Sequence, residues 1–281
     1  MNHPFFLLLV KVTIFSLMLS LGISLSFEKM LSLWRKPALL FRSLLAVVVL
    51  VPLVVVLLLK LFNLPLGVMM GLALLAVSPG APLATKRSQM AGAIFHQSAS
   101  LQLTLALLAV FITPLSLAIF GLIFPGIEGR VTMLDVAEQV TVVQFLPVAL
   151  GLLLQRFTPK FAMAIAKPLT IMANGLFLIM IVLAGVVGLP IILRVWGWPL
   201  VAIAILVIAS LGIGHALGEY HDEHQNSVLA IACIARNVGL ALFIAVLNEV
   251  EQQVLPTLIA YLVVGALLGI LYSIWIKRKL A

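Results

Sequence analysis

Charge is scarce in this chain. Only 9% of its 281 residues are charged and just nine are acidic, against 17 Lys and Arg, while 64% are hydrophobic. The mean hydropathy is +1.28. No soluble domain of this size has that composition, so the chain reads as a polytopic helical membrane protein in contact with the lipid bilayer. Strict polar/apolar alternation is also missing, and the apolar runs are about 20 residues long, which excludes a β-barrel. A single cysteine, Cys233, excludes an internal disulfide and a cysteine-based metal cluster. The net charge of +8 could suggest nucleic acid, but the basic residues sit at loop edges, the pattern that sets membrane topology, so no nucleic-acid partner is expected. A cleavable signal is not expected either: the first apolar run starts at Pro4 without a basic stretch before it.

What is present is a series of apolar runs. Nine spans are expected: Pro4–Ser26, Pro37–Phe62, Leu66–Thr85, Gly92–Phe124, Val131–Gln155, Phe161–Leu193, Pro199–Leu217, Asn226–Leu247 and Val254–Ile276. With the N-terminus outside, the inner loops and C-terminus hold twelve Lys and Arg (Lys29, Arg35, Lys36, Arg42, Lys86, Arg87, Arg156, Lys160, Lys167, Lys277, Arg278 and Lys279). The outer loops hold three, Lys60, Arg130 and Arg194. That bias predicts N-out, C-in in a cell or inner membrane. The polar stretch His215 to Gln225 reads as an inner loop without Lys or Arg. Its histidines and acids match no metal-site spacing, so no metal is expected there.

Two of the nine spans are interrupted. The third contains Ser78-Pro79-Gly80-Ala81-Pro82, where proline removes backbone donors. The eighth contains Arg236-Asn237-Val238-Gly239 at mid-span. An arginine at membrane depth costs at least ~3 kcal/mol on insertion scales, so it is expected to face protein or water and to serve function. Five spans separate the two breaks, and an odd separation puts equivalent spans in opposite orientations. The chain therefore reads as one transmembrane domain with an inverted repeat: about 4–124, an unpaired span at about 131–155, then about 161–276. Such repeats with paired broken helices belong to secondary transporters, with the site at the breaks.

Other polar residues fall near this depth. Thr85 and Lys86 follow the first break; Lys86 and Arg87 also fit an ordinary inner-loop pair. Ser98 and Gln102 are four apart and share a helix face, either bonding to neighbours or lining a cavity. Lys11 lies inside the first span and can snorkel outward, and Asn174 suits an interhelical hydrogen bond. All nine acidic residues lie in loops or at span ends, leaving cations as the most central charges, which favours an anionic substrate. No Ser/His or paired-carboxylate constellation at membrane depth suggests an enzyme.

At these residues the chain resembles the bile acid:sodium symporter family, as a divergent member of bacterial type. The matching signals are Gly22-Ile23-Ser24-Leu25 ahead of Glu28, the Ser78-Pro79-Gly80 break, and Asn237-Val238-Gly239-Leu240-Ala241. The resemblance implies an all-α fold of nine helices with two crossed discontinuous ones, a six-span core and a smaller panel. It also implies where sodium would bind: the family's sodium positions fall on Val47, Ala84, Thr85, Gln102, Ala106, Ala232 and Arg236. Most of these lack a side-chain oxygen, and Arg236 brings a fixed positive charge instead. The reading is a transporter of a small organic anion, a carboxylate or bile-acid-like molecule, by alternating access and without a cofactor; Na+ as the coupling ion stays open, with Arg236 arguing against it. The expected site is Arg236, Asn237, Thr85, Gln102, Gly80, Pro79 and Gly239, with Lys11, Lys86, Ser98 and Cys233 as secondary candidates. Two other readings stay open: an arsenite-type anion exporter of similar fold, in which Cys233 would be central, and a membrane sensor that binds without transport.

Overall fold

The computed structural model describes residues 4–24, 31–81, 84, 88, 95–125, 133–192, 197–219 and 223–280. Helices occupy every apolar run. They are α1 Pro4–Ile23, α2 Pro37–Leu61, α3 Leu66–Ala76, α4 Phe95–Ile123, α5 over 133–157, α6 Pro159–Ile192, α7 Trp198–Leu217, α8 Glu223–Ile234, α9 Val238–Leu247 and α10 Glu251–Leu280. Among the described residues seven stretches are long and apolar enough to cross a membrane, α8 and α9 counting as one; Lys11–Ile23 and Leu66–Ala76 are shorter apolar helices. In the stretch read as a loop from His215 to Gln225, both ends are helical, and residues 220–222 lie outside the described residues. His215 is in the last turn of α7, and Glu223 to Gln225 open α8.

α1 lies against the second half of α5 and against α6, α7 packs on α8 and α3 on α10, while α4 packs on the first half of α5 and α6 on α10. Small residues permit the closest crossings, as expected where lipid supplies no hydrophobic drive between helices. A Cβ on Gly151 would stand 2.7 Å from the Ile23 nitrogen, and one on Gly71 would stand 2.7 Å from the Thr257 Cβ. At the centre, every residue from Ser227 to Ala245 is buried. A helix apolar on all sides is buried on all sides, and α8–α9 is the pillar around which the others stand.

Two helices widen before a proline. In α2, residues Leu45–Leu50 form a π turn, and the Val51 N–H donates to the Ala46 carbonyl. Pro52 has no N–H to offer. In α5, Thr141–Phe145 do the same: the Leu146 N–H donates to the Thr141 carbonyl, and Pro147 follows. A π turn lets the chain pass the proline ring without a break, and it leaves one carbonyl without a helical donor. In α2 that carbonyl belongs to Val47, because Val51 is engaged at Ala46 and Pro52 cannot donate.

Candidate functional site

The first break runs through Val77–Ala81, after α3 ends at Ala76. Gly80 has φ +82°, a conformation glycine adopts without cost. A side chain there would also have no room, since a Cβ would sit 3.2 Å from Gln102 Nε2 and from the Leu105 Cβ. The second break is Ala235–Asn237, between α8 and α9.

The two breaks cross and bond to each other. The Asn237 N–H donates to the Ser78 carbonyl at 2.9 Å, and the Ala81 N–H donates to the Ala235 carbonyl at 3.1 Å. Buried backbone groups released by unwinding need partners, and here each break supplies the other's. Further groups are satisfied nearby. Tyr261 Oη, on α10, donates to the Ile234 carbonyl at 2.8 Å. Asn237 Oδ1 caps α9 by accepting from the Leu240 N–H at 3.0 Å.

Arg236 is buried to 4% exposure at this crossing. Its Nη2 donates to the Val47 carbonyl at 2.9 Å, the group orphaned by Pro52. Its Nε and Nη1 have no partner among the described residues, and it forms no ion pair among them. The acidic residues nearest to it along the chain, Glu223 and Glu249, stand at the far ends of α8 and α9. Whichever Nη2 hydrogen serves Val47, one two-donor edge of the guanidinium keeps both N–H groups. That edge matches the two oxygens of a carboxylate.

Gln144 was not anticipated from sequence, which assigned no site residue to α5. It sits in the π turn of α5, wholly buried. Its Nε2 donates to the Ala106 carbonyl at 3.0 Å, and its Oε1 accepts from Asn237 Nδ2 at 3.1 Å. The signal that could have found it is Pro147, three residues on.

The remaining candidates divide. Pro79 lies within the first break, and Gly239 lies at the start of α9, where a Cβ would be 3.1 Å from Ile14 of α1. Ser98 and Gln102 are both buried, and Gln102 Nε2, beside Gly80, has no partner among the described residues. A different face of α4 is engaged elsewhere: Thr104 accepts from Trp34 Nε1 at 3.1 Å. Cys233 is buried one turn before Arg236. Lys11 is partly buried with Nζ 5.6 Å from the Phe243 ring centroid, a cation–π contact to α9. Thr85 and Lys86 lie outside the described residues. So do His221 and Asp222, whereas His215 pairs with Tyr272 Oη at 2.9 Å and Glu219 with Lys36 at 3.3 Å.

At the expected sodium positions, Val47, Ala84, Ala106 and Ala232 are buried and offer no side-chain oxygen. Val47 and Ala106 do offer carbonyls, but these are held by Arg236 and Gln144.

Comparison with curated proteins finds no match. The chain does match the family model described as the sodium bile acid symporter family over residues 11–194, well over half of its length. The first break falls inside that match; Arg236 and Asn237 fall beyond it. From this match, which spans the first break with Gly80 and the helices that carry Gln102 and Gln144, the chain belongs to the sodium bile acid symporter family, a family of membrane transporters.

Proposed function

We propose that this protein is a secondary transporter of small organic anions, carboxylates above all, that works by alternating access without sodium. One observation carries the reading: Arg236, buried at the crossing of two helix breaks, keeps most of its donors unpaired and has no acidic partner among the described residues. A buried unpaired charge is costly, on the order of several kcal/mol, and an anionic substrate would offset that cost. The N-terminus of α9 adds a favourable dipole for an anion, and the Gln102 amide beside Gly80 adds a donor.

The charge of Arg236 stands where the family resemblance places a sodium ligand. It supplies permanently what a bound sodium would supply transiently. The site thus needs no coupling cation, and the driving force is the anion gradient or exchange. In this reading the nine helical segments form an inverted repeat, 4–124 and 161–276, with 131–155 unpaired. The group of α1, α5 and α6 is the panel against which the rest rocks. The N-terminus faces out and the C-terminus faces the cytoplasm, in the cell or inner membrane.

Purified protein in proteoliposomes, tested with a panel of radiolabelled monocarboxylates and bile acids, provides the check. Uptake is expected at equal rates in sodium and potassium media. Arg236→Ala is expected to remove it, whereas Cys233→Ser is expected to leave it intact. Loss of uptake in Cys233→Ser would favour thiol-based metalloid chemistry instead, and binding without flux would make the protein a sensor.

A further inference from the structure

Gln144 belongs to neither helix break, yet it holds both the α4 backbone and the second break. Its place is set by sequence. Pro147 withholds an N–H, the turn at Thr141–Phe145 widens, and Gln144 comes to lie in the interior. There it is wholly buried, with both ends of its amide engaged: Nε2 on the Ala106 carbonyl at 3.0 Å, Oε1 on Asn237 Nδ2 at 3.1 Å. Asn237 is then fixed at both of its own ends, because its Oδ1 caps α9 through Leu240. A buried amide that satisfies a neighbour costs little in place and much when pulled away unpaired, so such a pair favours discrete arrangements over gradual ones.

We propose that Gln144 is a positioning residue and a conformational latch. It fixes the Asn237 amide beside Arg236 in the state seen here, and it releases Asn237 and Ala106 together when α5 separates from α4 and α9. The latch lies across the boundary between the α1/α5/α6 group and the helices of the break, where alternating access requires movement. It rests on the alternating-access reading but not on the identity of the anion.

The sole cysteine makes the test independent of any substrate. Cys233 is fully buried one turn from Arg236, so a small methanethiosulfonate reagent reaches it only when the crossing opens. The full-length protein in lipid nanodiscs is labelled, and the rate is read by mass. Gln144→Leu and the unbranched Gln144→Met should each label about tenfold faster than wild type, because two buried hydrogen bonds no longer hold the closed arrangement. Ser20→Ala, which removes the Ser20–Thr170 hydrogen bond between α1 and α6, should label at the wild-type rate. Wild-type rates in both Gln144 variants would overturn the latch. So would an equal acceleration in Ser20→Ala, since that would mean general loosening. A failed flux assay with normal latch kinetics would count against the proposed substrate alone.

Discussion

At the scale of single residues, anion binding turns on which donors are already engaged. Among the described residues the Arg236 side chain makes one hydrogen bond, to the Val47 carbonyl, and its Nε and Nη1 have no partner. Arg236→Ala should therefore abolish anion uptake without harming the fold. It orphans the Val47 carbonyl, worth about 1–3 kcal/mol, but it also removes an unpaired buried charge that costs several. A thermal melt in detergent should show a midpoint equal to or above wild type. Arg236→Lys keeps the charge and loses the two-donor edge, so binding should weaken by about tenfold to a hundredfold, read as the shift in KM. Asn237→Asp keeps the cap on Leu240, loses the donor to Gln144, and sets a carboxylate next to Arg236; folded protein with no uptake is expected. Arg236 and Asn237 could be found by sequence because a charge or amide inside a broken apolar run stands out. Gln144 was missed because its span, Thr141-Val142-Val143-Gln144, reads as unbroken, and the one signal, Pro147, was not connected to a widened turn.

At the scale of elements, the breaks and the π turns are two answers to the same chemistry. Pro79 and Gly80 unwind a helix outright, and the exposed backbone finds its partner in the other break. Pro52 and Pro147 are absorbed by a wider turn instead. The unwound segments were legible from Pro79, Gly80, Pro82 and Gly239, because proline and glycine mark where helix propensity fails. Their mutual hydrogen bonds were not legible, since pairing across about 157 residues of chain depends on how seven other helices pack. The π turns were not anticipated either, although their prolines are visible. Pro52→Ala returns an N–H to α2, which lets the turn relax toward an α-helix and draws the Val47 carbonyl away from Arg236. The expected outcome is a higher melting temperature together with reduced uptake, a stability gained against function. Equal uptake in Pro52→Ala would mean that the π turn has no role at the site.

At the scale of the whole molecule, composition alone set the class: a bilayer protein of stacked apolar helices, with seven stretches among the described residues long and apolar enough to cross. The third run's expected end at Thr85 lies outside the described residues; for the others, helix ends within the described residues matched the apolar runs to within a few residues, because each run is bounded by charge, proline or glycine. The grouping of α1 with α5 and α6 was not legible, since close crossings such as Gly22 on Gly151 leave no periodic trace in the sequence. The proposed role of Arg236 is to supply permanently the positive charge that a bound sodium would supply transiently. One measurement addresses it most directly: initial uptake of radiolabelled carboxylates and bile acids into proteoliposomes, with external sodium replaced by potassium, in wild type and Arg236→Ala. The same wild-type rate is expected in both media, and none in the variant. A wild-type rate that collapses when sodium is removed would contradict it.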